Sequence, residues 1–186
     1  MAAARWESIS WQRFLAFAAA SGAFLLLVFR SEPGFIPVLD HANLLFHEAG
    51  HPIVGIFSRR LEPYGGTIGQ LVFPVVLMVA CWRKGQPMGV AAMAIWLFEN
   101  LLNIARYVAD ARTMELPLVG GGDHDWNTIL FRWNALDFDT TVARGFRMVA
   151  WAGMGVSFLW VAWRVACDFG RKKPVQATTD GWELGR

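Results

Sequence analysis

Four stretches of the chain carry no charged side chain. They are Phe14–Phe29, Pro63–Trp82, Pro87–Phe98 and Met148–Trp163, and the third continues through scattered polar residues to Val108. Uncharged apolar runs of this kind predict membrane-spanning helices. Phe14–Phe29 is slightly short for a bilayer at 1.5 Å per residue, but Arg13 and Arg30 flank it and can snorkel to the headgroups. Its exit, Arg30-Ser31-Glu32-Pro33, lacks the small-x-small pattern of a cleavage site, so it reads as a retained span.

A fifth stretch, Phe35–Phe57, is apolar only in part. It holds Asp40, His41, Asn43, His47, Glu48 and His51, too much polarity to face lipid all round. It is expected either to be buried among the other spans or to enter the membrane from one side. In the second case four crossings place the N-terminus, Arg83-Lys84 and Arg171-Lys172-Lys173 on one face. Between Asp110 and Thr141, the residues Trp126, Ile129, Leu130, Trp133 and Leu136 recur at helical spacing behind Asp125, a candidate N-cap. That pattern predicts a short interfacial helix. The expected fold class is therefore all-α: a polytopic bundle of four full spans, a polar helix and an interfacial helix. Residues 1–167 form one integral membrane domain and 168–186 a polar tail.

Composition agrees. Of 186 residues, 55% are hydrophobic and 17% charged, against about 25% charged in soluble domains. The net charge of +2 is too small to point to nucleic acid, and two cysteines cannot build a disulfide scaffold or a cysteine zinc cluster. The 10 Trp suit a protein with two membrane interfaces.

The candidate chemistry sits in the polar stretch. His47-Glu48-Ala49-Gly50-His51 is an HExxH motif. Residues four apart share a helix face, so both imidazoles can hold one Zn²⁺, and Glu48 can act as general base on water. Asp40, Asn43, His47 and His51 fall on one stripe, with His41 beside it as a neighbour rather than a ligand. Pro52 removes a helical amide and is expected to kink or end the helix there.

A catalytic zinc needs a third protein ligand. Two places offer one. The loop Gly120-Gly121-Gly122-Asp123-His124-Asp125 brings His124, with Asp123 and Asp125 able to ligate or to orient it. The third run carries a polar stripe, Glu99, Asn103, Arg106 and Asp110, of which Asp110 is the other candidate ligand, while Glu99 and Arg106 read as an internal charge pair. Gly65 and Gly69 have GxxxG spacing, which reads as close helix packing.

These residues resemble the site-2 protease family of intramembrane zinc metalloproteases. The resemblance rests on the HEAGH sequence in its apolar context, on Gly65-Gly66-Thr67 downstream, and on the stretch from Asn103 to Asp110. In that family the ligating Asp is followed by Gly near a Pro, and Asp110 has neither. The chain also looks like small bacterial membrane proteins with HEAGH, a Gly-Gly-Thr segment and a Gly-Gly-Asp-His-Asp loop, over most of residues 36–135. The family resemblance implies that His47, His51 and either Asp110 or His124 hold zinc in a bacterial inner membrane. Glu48 would be the catalytic base, Asn103 or Gln70 the oxyanion donor, and a membrane or membrane-proximal polypeptide the substrate. The rival expectation is a non-catalytic subunit or assembly factor of a larger membrane complex.

Overall fold

The computed structural model describes residues 6–31, 36–119 and 123–171. The glycine run 120–122 and the tail from 172 onward lie outside them. The described chain is helical: α1 (Trp11–Arg30), α2 (Leu39–Gly55), α3 (Glu62–Arg83), α4 (Pro87–Ala109), α5 (Asp125–Arg132), a 3₁₀ turn (Leu136–Phe138) and α6 (Asp139–Arg171). Four helical segments are long and apolar enough to cross a membrane: α1, α3, α4 and the stretch Leu136–Gly170, which takes in all of α6 but its last residue. The protein is an all-α integral membrane bundle.

Hydrogen bonds define the two ends of this bundle. At one end Glu7 N donates to Gly85 O in the α3–α4 turn (2.8 Å), and Ile9 N donates to Asp168 Oδ2 near the end of α6 (3.0 Å). At the other end Arg112 Nε meets Asp139 Oδ2 at 2.7 Å, and Asn127 Nδ2 donates to Ala111 O at 2.7 Å. The start of α3, the end of α4, all of α5 and the start of α6 therefore share the second end. α4 packs chiefly on α6 and α3, α3 on α2, and α1 only lightly on α6.

α2 is built inside out for a water-soluble helix. Asp40, Asn43, His47 and Gly50 point inward, while Leu45 and Ile53 are exposed. A polar inner stripe and an apolar outer face suit a helix lodged in lipid against partner helices. Its register on α3 comes from three glycines. A Cβ on Gly50 would overlap the Gly65 carbonyl, one on Gly65 the Gly50 carbonyl, and one on Gly69 the Phe46 carbonyl. Gly50 thus lies beside the first turn of α3. At the opposite end of α2, Asn43 bonds Glu99 in the middle of α4. So α2 begins near mid-bundle and runs out to the second end without crossing, which agrees with four full spans plus a polar helix. Helix continues through Pro52 to Gly55, so the proline does not end α2 at the motif.

α5 is shorter than its apolar spacing suggests. It stops at Arg132, and Trp133 is its exposed C-terminal cap. Trp126, Ile129 and Leu130 are buried against Ile104, Ala105, Val108 and Ala143, so α5 is docked into the core at the second end. Its N-cap is His124, whose Nδ1 accepts from Asn127 N (3.2 Å), and not Asp125. The final helix runs past residue 167 to Arg171.

Candidate metal centre

The HExxH residues enter the site from α2, with His47 and His51 on either side of the Gly50 contact. His47 needs Gly66 opposite it, because any Cβ there would overlap the imidazole. His51 is oriented from behind: its Nδ1 lies 3.0 Å from the Glu62 carbonyl. A carbonyl only accepts, so Nδ1 carries the hydrogen and Nε2 presents a lone pair. His47 and His51 then converge on one carboxylate oxygen. Asp125 Oδ2 lies 2.9 Å from His47 Nε2 and 3.2 Å from His51 Nε2.

Asp125 is the first residue of α5, and its amide donates to the Tyr107 hydroxyl at 3.2 Å. His47, His51 and Asp125 form a group whose ligand atoms all lie within 4.8 Å of one another, so it could hold a metal ion. Ligand atoms on a tetrahedral zinc lie about 3.3 Å apart. The 2.9 and 3.2 Å separations are close to that edge length, and the third is within 4.8 Å, so the donor set is compatible with a metal ion.

The third position thus comes from the loop that contains His124, but through its neighbour. His124 and Asp110 face each other behind the group, with His124 Nε2 at 3.4 Å from Asp110 Oδ2. The amide of Asn127 uses the Nδ1 lone pair, so Nε2 bears the hydrogen, and at 3.4 Å it is near the Asp110 carboxylate without a hydrogen bond to it. The His124 ring lies against Tyr107, centroids 4.1 Å apart, and Tyr107 in turn stands edge-on to His47 at 5.7 Å. Burial pushes the His124 pKa below its ordinary value, and the attraction of Asp110 and Asp125 offsets only part of this.

Asp110 ends α4 and organises the turn that follows. It accepts from Thr113 Oγ1 (2.7 Å), Glu115 N (2.9 Å) and Leu116 N (3.0 Å). Burial raises its pKa, but these three hydrogen bonds and His124 outweigh that and hold the carboxyl below its usual range. Neither Asp110 nor His124 belongs to the metal-capable group found among the described residues. An aspartate with three donors already on its oxygens has little left to give a metal.

A cleft of about 840 Å³ opens over the group, and Glu48, Tyr107, Gln70, Asn103 and Asp123 line it with the motif histidines. His41 is exposed on its wall, outside the metal-capable group. Deeper along α2 the stripe becomes a buried network. Asn43 Nδ2 donates to Asp40 Oδ1 (3.1 Å) and Glu99 Oε2 (3.2 Å), and Trp96 Nε1 donates to Asn43 Oδ1 (2.9 Å). Asp40 also accepts from the Ile36 amide. Glu99 is therefore tied to α2, with Arg106 close enough to attract Asp40.

In the sequence Asp125 stands only as a cap or an alternative donor, and Tyr107 carries no sign of a role. The usable signal for Asp125 was its place at a helix start beside His124. Tyr107 left none, because a tyrosine in an apolar span looks like any packing aromatic.

The fold and the site together define a class: an integral membrane helical bundle with a histidine–histidine–aspartate group at one end. No protein-family model, curated protein or solved structure matches the chain.

Proposed function

We propose that the protein is a membrane-embedded zinc metallopeptidase that hydrolyses a peptide bond in or near the bilayer. The observation that carries this reading is the convergence of both HExxH imidazoles on Asp125, with Glu48 in the same cleft. Two imidazoles and a carboxylate are a donor set that suits zinc and leaves a fourth position for water or substrate. When bound, zinc would supply Lewis acidity toward the scissile carbonyl and activate water.

The chain's own residues do the rest. Glu48 takes a proton from the attacking water as the new C–O bond forms. It returns that proton to the amine nitrogen as the C–N bond breaks. Tyr107 accepts from the Asp125 amide, so its own hydroxyl hydrogen remains for a second partner, and Gln70 and Asn103 add amide donors along the cleft. These three are the available donors for charge developing on the carbonyl oxygen. At about 840 Å³ the cleft has room for a short peptide segment. The four candidate spans support an integral membrane protein, and a bacterial inner membrane is part of the same proposal.

Metal content and turnover test the reading. Purified protein is expected to carry about one zinc per chain. His47→Ala and Asp125→Ala should lose it. Glu48→Gln should keep it and lose peptide hydrolysis by at least about 100-fold. A metal-free wild type overturns the proposal. Zinc retained in Asp125→Ala removes the proposed third ligand. If Glu48→Gln keeps full cellular function while the protein copurifies with a larger complex, the chain is a non-catalytic subunit.

A further inference from the structure

A second, smaller cavity of about 160 Å³ lies on the far side of the Asp40–Glu99 network, between α1, α4 and α6. Two arginines line it, Arg106 from α4 and Arg147 from α6, with Glu99 at its inner wall. Its remaining walls are apolar, including Val28, Leu102 and Trp151. At ~30 Å³ per water it has room for about five waters, enough for a phosphodiester and its four oxygens.

The depth matches a headgroup. Arg106 sits three residues before the end of α4, roughly 5 Å along its axis. Arg147 immediately precedes the uncharged run Met148–Trp163. Both therefore stand where the apolar part of a span gives way to the interface. Arg147 itself is exposed, and so are the neighbouring Met148 and Val149, so this stretch of α6 meets lipid.

Among the described residues, the α6 edge of the cavity, at Arg147, is exposed. α1 is held to the bundle near its start, through Trp11 on Phe169 and through Phe14 and Phe17 on Phe158. Near its end Val28 is buried and lines the cavity, while Leu26, Leu27 and Phe29 face outward as Trp11 and Leu15 do near the start. A crevice with an apolar rim, an opening to lipid and two guanidiniums at headgroup depth complements one kind of molecule in the membrane. Glu99 also lines the inner wall beside Arg106 and offsets its charge, so Arg147 at the exposed edge is the principal cation for a ligand phosphate.

We propose that this α1–α4–α6 crevice binds the phosphodiester headgroup of an anionic phospholipid, with Arg147 as its principal contact and Arg106 as the inner one. Basic pockets between membrane helices recognise lipid headgroups in this way. The site is independent of the metal centre and does not require the peptidase reading.

Native mass spectrometry and thermal unfolding of the full-length protein in detergent test it, with phosphatidylglycerol, diacylglycerol and inorganic phosphate as probes. Phosphatidylglycerol should give a retained adduct and raise the unfolding temperature, and the other two should do neither. Arg147→Gln should weaken phosphatidylglycerol binding about tenfold, the scale of one lost charge-assisted contact. Arg144→Gln, exposed on the same helix but outside the cavity lining, should bind as wild type does. Equal binding by Arg147→Gln and wild type overturns the proposal. So does equal stabilisation by diacylglycerol, which lacks the phosphate. Stabilisation by inorganic phosphate alone to the same extent would reveal an anion site and refute the lipid assignment.

Discussion

At the scale of single residues, the decisive comparison is between two aspartates of the same end. Asp125 has one oxygen aimed at two imidazoles, whereas Asp110 has both oxygens engaged by the turn behind it. They separate experimentally. Asp110→Ala should cost roughly 2–3 kcal/mol of stability, because charged hydrogen bonds are lost and two amides are stranded. It should leave zinc stoichiometry unchanged, which plasma emission spectrometry and thermal unfolding together would show. A drop in the zinc-to-protein ratio would make Asp110 a ligand after all. The pH dependence has a definite sign. Hydrogen bonds hold the native carboxyl below its ordinary value of 3.8, so its contribution is complete above that value. It is lost as pH falls through the depressed native pKa. The wild type should therefore lose its advantage over Asp110→Ala only in acid.

Elements explain why some of the site was legible and some was not. The stripe Asp40–Asn43–His47 is visible in the sequence because helical periodicity alone puts those residues on one face. The close α2–α3 contact was legible too, since GxxxG spacing has one common structural meaning. What periodicity cannot encode is which loop residue reaches across. Asp125 and His124 are adjacent, and the choice between them depends on where α5 starts. The ring of His124 caps that helix, which leaves Asp125 facing α2. Glycines on α3 divide in the same way, by what lies opposite each. Gly50→Ala, on α2, and Gly65→Ala both force backbone apart and should destabilise the hairpin by about 1–3 kcal/mol. Gly66→Ala meets the His47 ring first and should chiefly weaken zinc binding, about tenfold or more, with a smaller loss of stability. Isothermal titration with zinc alongside thermal unfolding distinguishes the pair. If Gly66→Ala binds zinc normally, His47 has another position available and the glycine is not part of the site.

For the whole molecule, the question left open by sequence was whether the stretch around α2 crosses the bilayer. Charge counting could not answer it, because arginines crowd both ends: Arg83 and Lys84 at one, Arg59, Arg60, Arg112 and Arg132 at the other. Hydrogen bonding answers it by position. The residues before α1, the α3–α4 turn and the end of α6 meet at one end, so an even number of full crossings separates the chain's two described termini. α2 begins beside Glu99 in mid-bundle and leaves by the end that holds the metal-capable group. Such a helix brings polar side chains to the membrane boundary while its apolar outer face stays in lipid. The arrangement predicts a labelling pattern. With Cys81 and Cys167 replaced by serine, a single cysteine at Lys84 and one at Glu7 should react with an impermeant maleimide from the same side of sealed vesicles. One at Thr113 or Arg60 should react only from the other side. Labelling of Glu7→Cys and Lys84→Cys from opposite sides would mean that α2 or a further segment crosses. The metal centre would then have to lie at a different depth from the one these hydrogen bonds define.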